Sequence, residues 1–258
     1  MSLIGVPVAA FLYWLILRPK KEVPFPKWGI IRLIIAAIIS VIVSSLVSMP
    51  ISAVISFARA GLLSDFSKVI EAAKTNPGTI KEMLHITDPS MTSRAFWSIV
   101  TMFFSAGLLE EGLKCLTCRW AIRKEDMIHT WMECVISFAF VGITFELLEN
   151  IAFSARESVL ITILRVLSPA HFIFGVIMGY FYGKYRVTGQ KLNLLLSILI
   201  PVVYHSIANG LMGVEDPNQL FVILGNFASL HFIAAGILTV IIILHWQKNR
   251  TLDVPVKF

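Results

Sequence analysis

Residues 107–115 read Gly-Leu-Leu-Glu-Glu-Gly-Leu-Lys-Cys, and they place two adjacent carboxylates and an ammonium inside an apolar run over residues 95–118. On a helix, Lys114 lies about one turn beyond both Glu110 and Glu111. Ionisable groups inside a membrane span are costly unless they are paired or face a wet cavity, and they commonly mark functional sites. Helix packing alone explains one Glu–Lys pair, but it does not explain the second glutamate.

The composition of the chain is that of a membrane protein. Of its 258 residues, 57% are hydrophobic and 15% are charged, whereas a soluble domain carries about 25% charged residues. The apolar runs predict an all-α fold, a polytopic bundle of transmembrane helices. The net charge of +6 does not predict nucleic-acid binding, because the basic residues lie in short loops. All three cysteines lie within or beside apolar runs, so we expect no extracellular disulfide framework.

Seven apolar segments are read as spans, at about residues 3–17, 28–57, 95–118, 133–153, 161–182, 192–212 and 220–246. The first has no small-residue cleavage site after it, so we read it as an anchor that remains. We predict one membrane domain in three parts. Residues 1–94 supply two spans and an extracytoplasmic loop at 59–94, residues 95–212 form a four-helix catalytic core, and residues 213–258 supply the last span and a cytoplasmic tail.

Lysine and arginine residues accumulate in alternate loops, which predicts the orientation of the chain. They follow the first, third, fifth and seventh spans. The opposite short loops are poor in them: one has Arg156 beside Glu157, and the other has two acidic residues and no basic one. The N-terminus is therefore predicted outside and the C-terminus in the cytoplasm.

Polar side chains recur at a similar depth in three later spans. The fourth span carries Glu146 and Glu149 on one broad face. The fifth carries His171, and the sixth carries His205 with Asn209 one turn on. At ~1.5 Å per residue, these spans place Glu111, Glu149, His171 and His205 within roughly 10 Å of the midplane. Four spans that each bring a polar group to one level predict a shared site in a wet pocket.

Two further features of the later spans are read as packing. Gly175, Gly179 and Gly183 continue the helix face of His171 and let another helix approach closely. His231 is not part of a polar motif in the last span, and we expect it to be a core histidine whose hydrogen bonds are satisfied.

One chemistry that these residues allow is metal-free hydrolysis. Two adjacent glutamates discourage each other from ionising, so one can take a proton from water while Lys114 holds its neighbour ionised. An imidazole and a carboxamide four residues apart, His205 and Asn209, can donate hydrogen bonds to an oxyanion.

The other chemistry uses a metal. His171, His205 and Glu149 make a two-histidine, one-carboxylate set that suits zinc with an open water position. Glu110 or Glu111 would then be the base. Ligands from three helices have no diagnostic spacing, so the sequence leaves both chemistries open.

The order and spacing of these groups resemble the motif series of the PrsW family, over about residues 103–210. The matching segments are Glu110-Glu111-x-x-Lys114, Phe145-x-x-x-Glu149-Asn150, His171 before Phe-Ile-Phe-Gly-Val-Ile-Met-Gly, and His205 with a polar residue four positions on. The resemblance implies a multi-pass protease of the bacterial cell membrane. Its partners would be the lipid bilayer and a single-span substrate, an anti-sigma factor that receives its first, extracytoplasmic cut here.

PrsW proteins are more distantly similar to the type II CAAX prenyl endopeptidases, in which a glutamate and a histidine activate water. The roles that this similarity implies are base for Glu110, support for Glu111, and oxyanion donors for His205 and Asn209. The sequence departs from that group in two places. It has Glu-Glu-x-x-Lys where an arginine five positions after the first glutamate is usual, and Glu149 where a histidine is expected. Either His171 or a metal must replace that histidine.

We therefore predict an intramembrane endopeptidase that cuts a membrane-anchored protein. A proton-coupled transporter that uses the same buried groups is one alternative, although the sequence has no internal repeat and no matching pair of broken spans. A non-catalytic membrane scaffold is the other. We also expect the apolar face of the 59–94 loop to lie over the mouth of the pocket.

Overall fold

The computed structural model describes residues 5–18, 26–59, 91–123, 128–154, 158–212 and 220–257, without the side chains of residues 59, 91–94 and 220–229. These residues form helices, short connections and an isolated β-bridge between Thr130 and Pro255, which confirms the predicted all-α class. The helices are α1 Gly5–Leu17, α2 Lys27–Arg59, α3 Met91–Met102, a π-helix Phe103–Glu111, α4 Gly112–Ala121, α5 Trp131–Ser154, α6 Val159–Leu167, α7 Ala170–Thr188, α8 Lys191–Met212 and α9 Leu220–Asn249.

Within the described residues, five helical segments are long and apolar enough to cross a membrane: Lys27–Ala58, Trp131–Ser154, Val159–Thr188, Lys191–Met212 and Leu230–Asn249. α1 is apolar but has only 13 residues. The chain is thus a multi-pass membrane protein, while the count of seven spans, the orientation and the three-part division stay predictions. Residues 60–90 lie outside the described residues, and so does the hypothesis that their loop covers the pocket.

The central helix of the bundle is α5. All of its residues from 132 to 145 are buried, and it packs against α1, α2 and α7. A helix that is apolar on every side is expected to lie inside a bundle in this way. Its second half carries Glu146 and Glu149, which are partly buried.

Helices α5 and α7 approach each other at glycines. A Cβ atom on Gly175 would lie 2.5 Å from the carbonyl oxygen of Phe138, and a Cβ atom on Gly179 would lie 2.5 Å from the Cα atom of Val135. Larger residues at these positions would push the helices apart, because the neighbouring atoms belong to the backbone. The packing role predicted for these glycines is confirmed.

Two predicted spans are not single regular helices. The span at 95–118 consists of α3, the π-helix and α4, and π-helical turns are rare and occur frequently at functional sites. The span at 161–182 is divided into α6 and α7 by Ser168 and Pro169. Proline has no N–H group to donate and disfavours helical backbone in the residue before it. Ser168 accordingly has φ −105° and ψ 76°.

The expectation that His231 is a core histidine is wrong. Its side chain is exposed, and its Nε2 atom shares a hydrogen bond with the hydroxyl group of Tyr204. The reason is the position of α9 at the edge of the bundle, where only 17% of its most apolar segment is buried.

The C-terminal tail closes one end of α5. The carbonyl groups of Leu252 and Val254 accept hydrogen bonds from the N–H groups of Met132 and Trp131, at 3.0 and 2.9 Å. These two N–H groups open the helix and have no partner inside it. The tail therefore caps α5 at the end that is predicted to face the cytoplasm.

Candidate active site

Five helices bring the predicted site residues together, and hydrogen bonds connect all of them except Glu110, whose Oε2 atom lies 3.9 Å from His171 Nε2. They are Glu110 and Glu111 at the end of the π-helix, Lys114 in the first turn of α4, Glu149 in α5, His171 as the second residue of α7, and His205 and Asn209 in α8.

The π-helix meets α8 at Gly107. A Cβ atom there would lie 2.8 Å from the carbonyl oxygen of Val202, so only glycine allows this approach. Glu111 follows about one turn later on the π-helix, and His205 follows about one turn later on α8. The close approach thereby places the Glu111 carboxylate beside the His205 ring, with Oε1 2.8 Å from Nδ1.

Glu111 is the buried anionic centre of the site. Its side chain is 0% exposed, and its Oε1 atom accepts hydrogen bonds from Lys114 Nζ at 2.7 Å and from His205 Nδ1 at 2.8 Å. The Lys114 ammonium also lies 2.6 Å from His171 Nδ1 and 4.2 Å from the centroid of the Phe145 ring. A carboxylate, an imidazole lone pair and an aromatic face together replace the water that a buried ammonium has lost.

The hydrogen-bond partners assign a proton to each imidazole ring. Lys114 can only donate, so His171 accepts at Nδ1 and donates from Nε2 to Glu149 Oε2 at 3.0 Å. The amide nitrogen of Asn209 can only donate, so His205 accepts at Nε2, at 2.8 Å, and donates from Nδ1 to the central carboxylate. In this arrangement each ring has one nitrogen against a donor and the other against a carboxylate.

Arg165, on α6, is a site residue that the sequence analysis missed. Its Nη2 atom lies 3.2 Å from Glu149 Oε2, the oxygen that also accepts from His171. Its guanidinium group lies 4.1 Å from the centroid of the Phe153 ring. The signal was in the sequence, because Arg165 is the only charged residue in Val159–Leu167.

The carboxylate of Glu110 takes the smallest part in the hydrogen bonds of the site. Its Oε2 atom is buried and has no hydrogen-bond partner in the described part of the chain, and it lies 3.9 Å from His171 Nε2. The Oε2 atom of Glu111 is buried without a hydrogen-bond partner in the same way. Buried oxygens in this state are costly, so each has capacity for a water molecule, a proton or a cation.

The donor set at the site fits a divalent metal ion. One ligand atom from each of four residues lies within 4.8 Å of the others: Glu110, Glu111, His171 and His205. The Oε2 atoms of the two glutamates have no hydrogen-bond partner among the described residues, whereas His171 Nδ1 and His205 Nε2 would have to exchange their contacts with Lys114 and Asn209 for the metal. Carboxylate and imidazole ligands together suit zinc. Glu149, the predicted third ligand beside the two histidines, is not in this group and accepts hydrogen bonds from His171 and Arg165 instead.

Comparison with known protein families gives a match over most of the chain. A family model described as PrsW family intramembrane metalloprotease matches residues 26–245. No solved structure matches the chain.

Several curated relatives carry the name Protease PrsW. The one from Clostridioides difficile (strain 630) is 31% identical over 127 residues, which are 45% of this chain and 53% of the relative. The one from Oceanobacillus iheyensis is 29% identical over 114 residues, 43% of this chain and 53% of the relative. The one from Bacillus subtilis (strain 168) is 31% identical over 113 residues, 42% of this chain and 52% of the relative. The chain spans about half the length of these curated relatives.

Proposed function

Because this chain belongs to the PrsW family of intramembrane metalloproteases, we propose that it is a membrane-embedded peptidase that hydrolyses a peptide bond of a membrane-anchored protein. It is a multi-pass bacterial membrane protein. The observation that carries the proposal is the buried Oε2 atom of Glu110, which has no hydrogen-bond partner among the described residues, beside the fully paired Oε1 atom of Glu111. Hydrolysis needs a proton acceptor next to water, and this oxygen is suited to be one.

Glu110 is the general base in this proposal. The oxygen of a water molecule forms a bond with the carbonyl carbon of the substrate while one proton of that water passes to Glu110, and the carbonyl oxygen takes the negative charge. When the C–N bond then breaks, Glu110 returns the proton to the nitrogen of the leaving amine. The Oε2 atom of Glu110 supports this role because it has no hydrogen bond to give up first.

Glu111 and Lys114 hold the site together. Two donors share the Oε1 atom of Glu111, and hydrogen bonds to the ionised form favour that form. Glu111 therefore remains an anion that fixes His205 and the ammonium of Lys114. The same ammonium accounts for the orientation of His171, whose ring then lies beside the base.

Asn209 is the oxyanion donor in this mechanism. One hydrogen of its amide group is used by His205 Nε2, and the second remains for the carbonyl oxygen of the substrate. His205 acts by orienting the amide. A donor that is already positioned in this way stabilises the developing charge without reorganisation.

Zinc is the alternative to this metal-free mechanism. Its candidate ligands are Glu110, Glu111, His171 and His205, and as a ligand Glu110 would not be the base. Two of them, His171 and His205, are shared with the ligand set predicted from the sequence. When bound, zinc would make a water molecule more acidic and polarise the carbonyl group of the substrate. Glu149 and Arg165 would then orient the ring of His171 through its Nε2–H group.

The substrate that we propose is a single-span membrane protein of the anti-sigma factor type, cut first on its extracytoplasmic side. Support for this substrate class comes from the family resemblance. The position of the glutamates inside an apolar segment also favours a substrate that is itself anchored in the membrane.

The test is cleavage of a single-span reporter in proteoliposomes that contain the purified protein. We expect Glu110→Gln to lower the rate by about 10²–10⁴-fold, because it removes the proton acceptor and keeps the shape. Asp253→Asn, which removes an exposed carboxylate of the tail, is the control and should cleave at the wild-type rate. Wild-type cleavage by Glu110→Gln would overturn the proposal.

The role of metal is decided separately, by mass spectrometry of metal content in wild type and His205→Ala and by activity after chelation. About one zinc ion per chain that is lost in His205→Ala would make His205 a ligand. Full activity of metal-free protein would leave water activation to Glu110 alone.

A further inference from the structure

Helix α7 begins with Ala170, immediately before His171. Its N-cap residue is Pro169, which has no side-chain acceptor. The N–H group of Ala170 bonds to the carbonyl oxygen of Ser168 at 2.7 Å, and that of Ile173 bonds to Pro169 at 3.1 Å. A helix that starts after a break normally needs side-chain acceptors for its first N–H groups.

Glu146, on α5, supplies an acceptor from a neighbouring helix. Its Oε2 atom accepts a hydrogen bond from the N–H group of Phe172 at 3.3 Å. A carboxylate at this end also opposes the positive end of the helix dipole. Glu146 is outside the four-residue donor group and has no part in the mechanism above.

Three positions on one face of α5 hold the turn that carries His171. Gly142 leaves room for the His171 carbonyl oxygen, which a Cβ atom at that position would overlap. Glu146, one turn further, binds the backbone of Phe172. Glu149, in the next turn, accepts the Nε2–H group of the ring at 3.0 Å. Residues three and four apart share a helix face, so α5 holds both the backbone and the ring of this turn.

We propose that Glu146 is a positioning residue for His171. Its carboxylate caps α7 across the break at Ser168 and Pro169 and thereby fixes the height and rotation of the first turn. The capping follows from the contacts above, whereas its effect on cleavage rests on the proposed function. At this position α7 needs a hydrogen-bond acceptor for the N–H group of Phe172. The oxygen of a carboxamide also provides one.

Two variants of Glu146 test whether its role is to accept a hydrogen bond. Glu146→Gln keeps an oxygen that can accept from Phe172, and Glu146→Leu has similar size without an acceptor. We expect kcat of Glu146→Leu to fall about 100-fold with KM little changed, because a displacement of about 1 Å has that effect on a catalytic group. Glu146→Gln should stay within about threefold of wild type, since the acceptor remains.

The second readout is the ¹⁵N spectrum of histidine-labelled protein in nanodiscs, in which the loss of a signal in His171→Gln identifies His171. Glu146→Leu should change that signal, and Glu146→Gln should preserve it; Glu146→Ala gives the same comparison if the leucine variant does not fold. A wild-type His171 signal in the variants without an acceptor would overturn the proposal. So would an equal loss of kcat in Glu146→Gln with an unchanged signal, since Glu146 would then act through its charge. If the wild-type protein cleaves no substrate, the proposed function fails while the spectra still decide the capping.

Discussion

Lys114 Nζ and His171 Nδ1 lie 2.6 Å apart, although 57 positions separate the two residues in the sequence. The same ammonium lies 2.7 Å from Glu111 Oε1, and all three side chains are buried. Lys114 is therefore more than a counter-charge for the glutamate beside it. It joins the helix that carries the glutamates to the helix that carries His171.

Loss of this link should weaken the fold as well as the site. Lys114→Met keeps the length of the side chain but leaves a buried carboxylate without its cation, and we expect the free energy of unfolding to fall by ~3–5 kcal/mol. Unfolding of the purified protein in detergent measures this change. Lys191→Met, at an exposed position at the start of α8, is the control. Equal stability of the two variants would show that the Lys114 contacts contribute nothing to the fold.

The ammonium of Lys114 should also compete with a metal ion. A divalent cation on Glu110 and Glu111 would lie near Nζ, and like charges at short range repel each other strongly in a buried site. We therefore expect Lys114→Met to bind zinc about tenfold or more tightly than wild type. Competition between the purified protein and a chromophoric chelator measures the affinity. Weaker binding by Lys114→Met would mean that the ammonium helps to build the metal site.

Asn209 should matter for the rate of cleavage more than for substrate affinity. Without its amide hydrogen, Asn209→Ala should lose about 10²–10³-fold in kcat, the usual effect of removing one oxyanion donor. Asn193 provides a matched control, because it lies in the first turn of the same helix and bonds only to Thr188 and Gln190 among the contacts described. A rise in KM at constant kcat in Asn209→Ala would assign Asn209 to substrate binding instead.

Arg165 should act through Glu149. Arg165→Leu removes a charge-assisted contact of the kind that contributes ~1.5–3 kcal/mol, so we expect about a 10–100-fold loss of kcat. Arg165→Lys keeps the charge and should recover part of that loss. Kinetics of reporter cleavage and the ¹⁵N signal of His171 are measured together. If Arg165→Leu cleaves normally, the bond between His171 and Glu149 does not depend on the arginine.

Removal of the C-terminal tail should destabilise α5 from its first turn. A chain that ends at Asn249 loses the carbonyl groups that pair with the N–H groups of Trp131 and Met132, which should lower the free energy of unfolding by ~1–3 kcal/mol. Hydrogen exchange at these two amides should rise first. Asp253→Asn, which leaves the backbone of the tail in place, is the control. Unchanged exchange at both amides would show that the tail is not their cap.

Helix α5 shows what the sequence could predict. Its apolar run predicted a span at 133–153, and the helix covers Trp131–Ser154, because length and hydropathy largely determine a membrane span. The residues of the site could also be singled out, since polar groups in such segments are rare.

The pairing of residues within the site could not be predicted. By spacing alone, Lys114 could form an ion pair with either Glu110 or Glu111. Its observed pairing with Glu111 depends on the path of the π-helix. That helix approaches α8 at Gly107, a contact between segments that are far apart in the sequence. Arg165 was overlooked for a related reason. A single arginine in a short apolar stretch has no identifiable role until α6 is seen to end beside Glu149.

The interruption at Ser168 and Pro169 has a consequence for how the protein depends on its membrane. Non-helical backbone is stable at membrane depth only where protein or water surrounds it, because lipid tails offer no hydrogen bonds. Each turnover of a peptidase consumes one water molecule, which the hydrocarbon layer does not supply. The break that lets His171 face the site thus also makes local hydration a requirement. We therefore expect the cleavage rate of the proposed peptidase to depend on the thickness and packing of the lipids around α6.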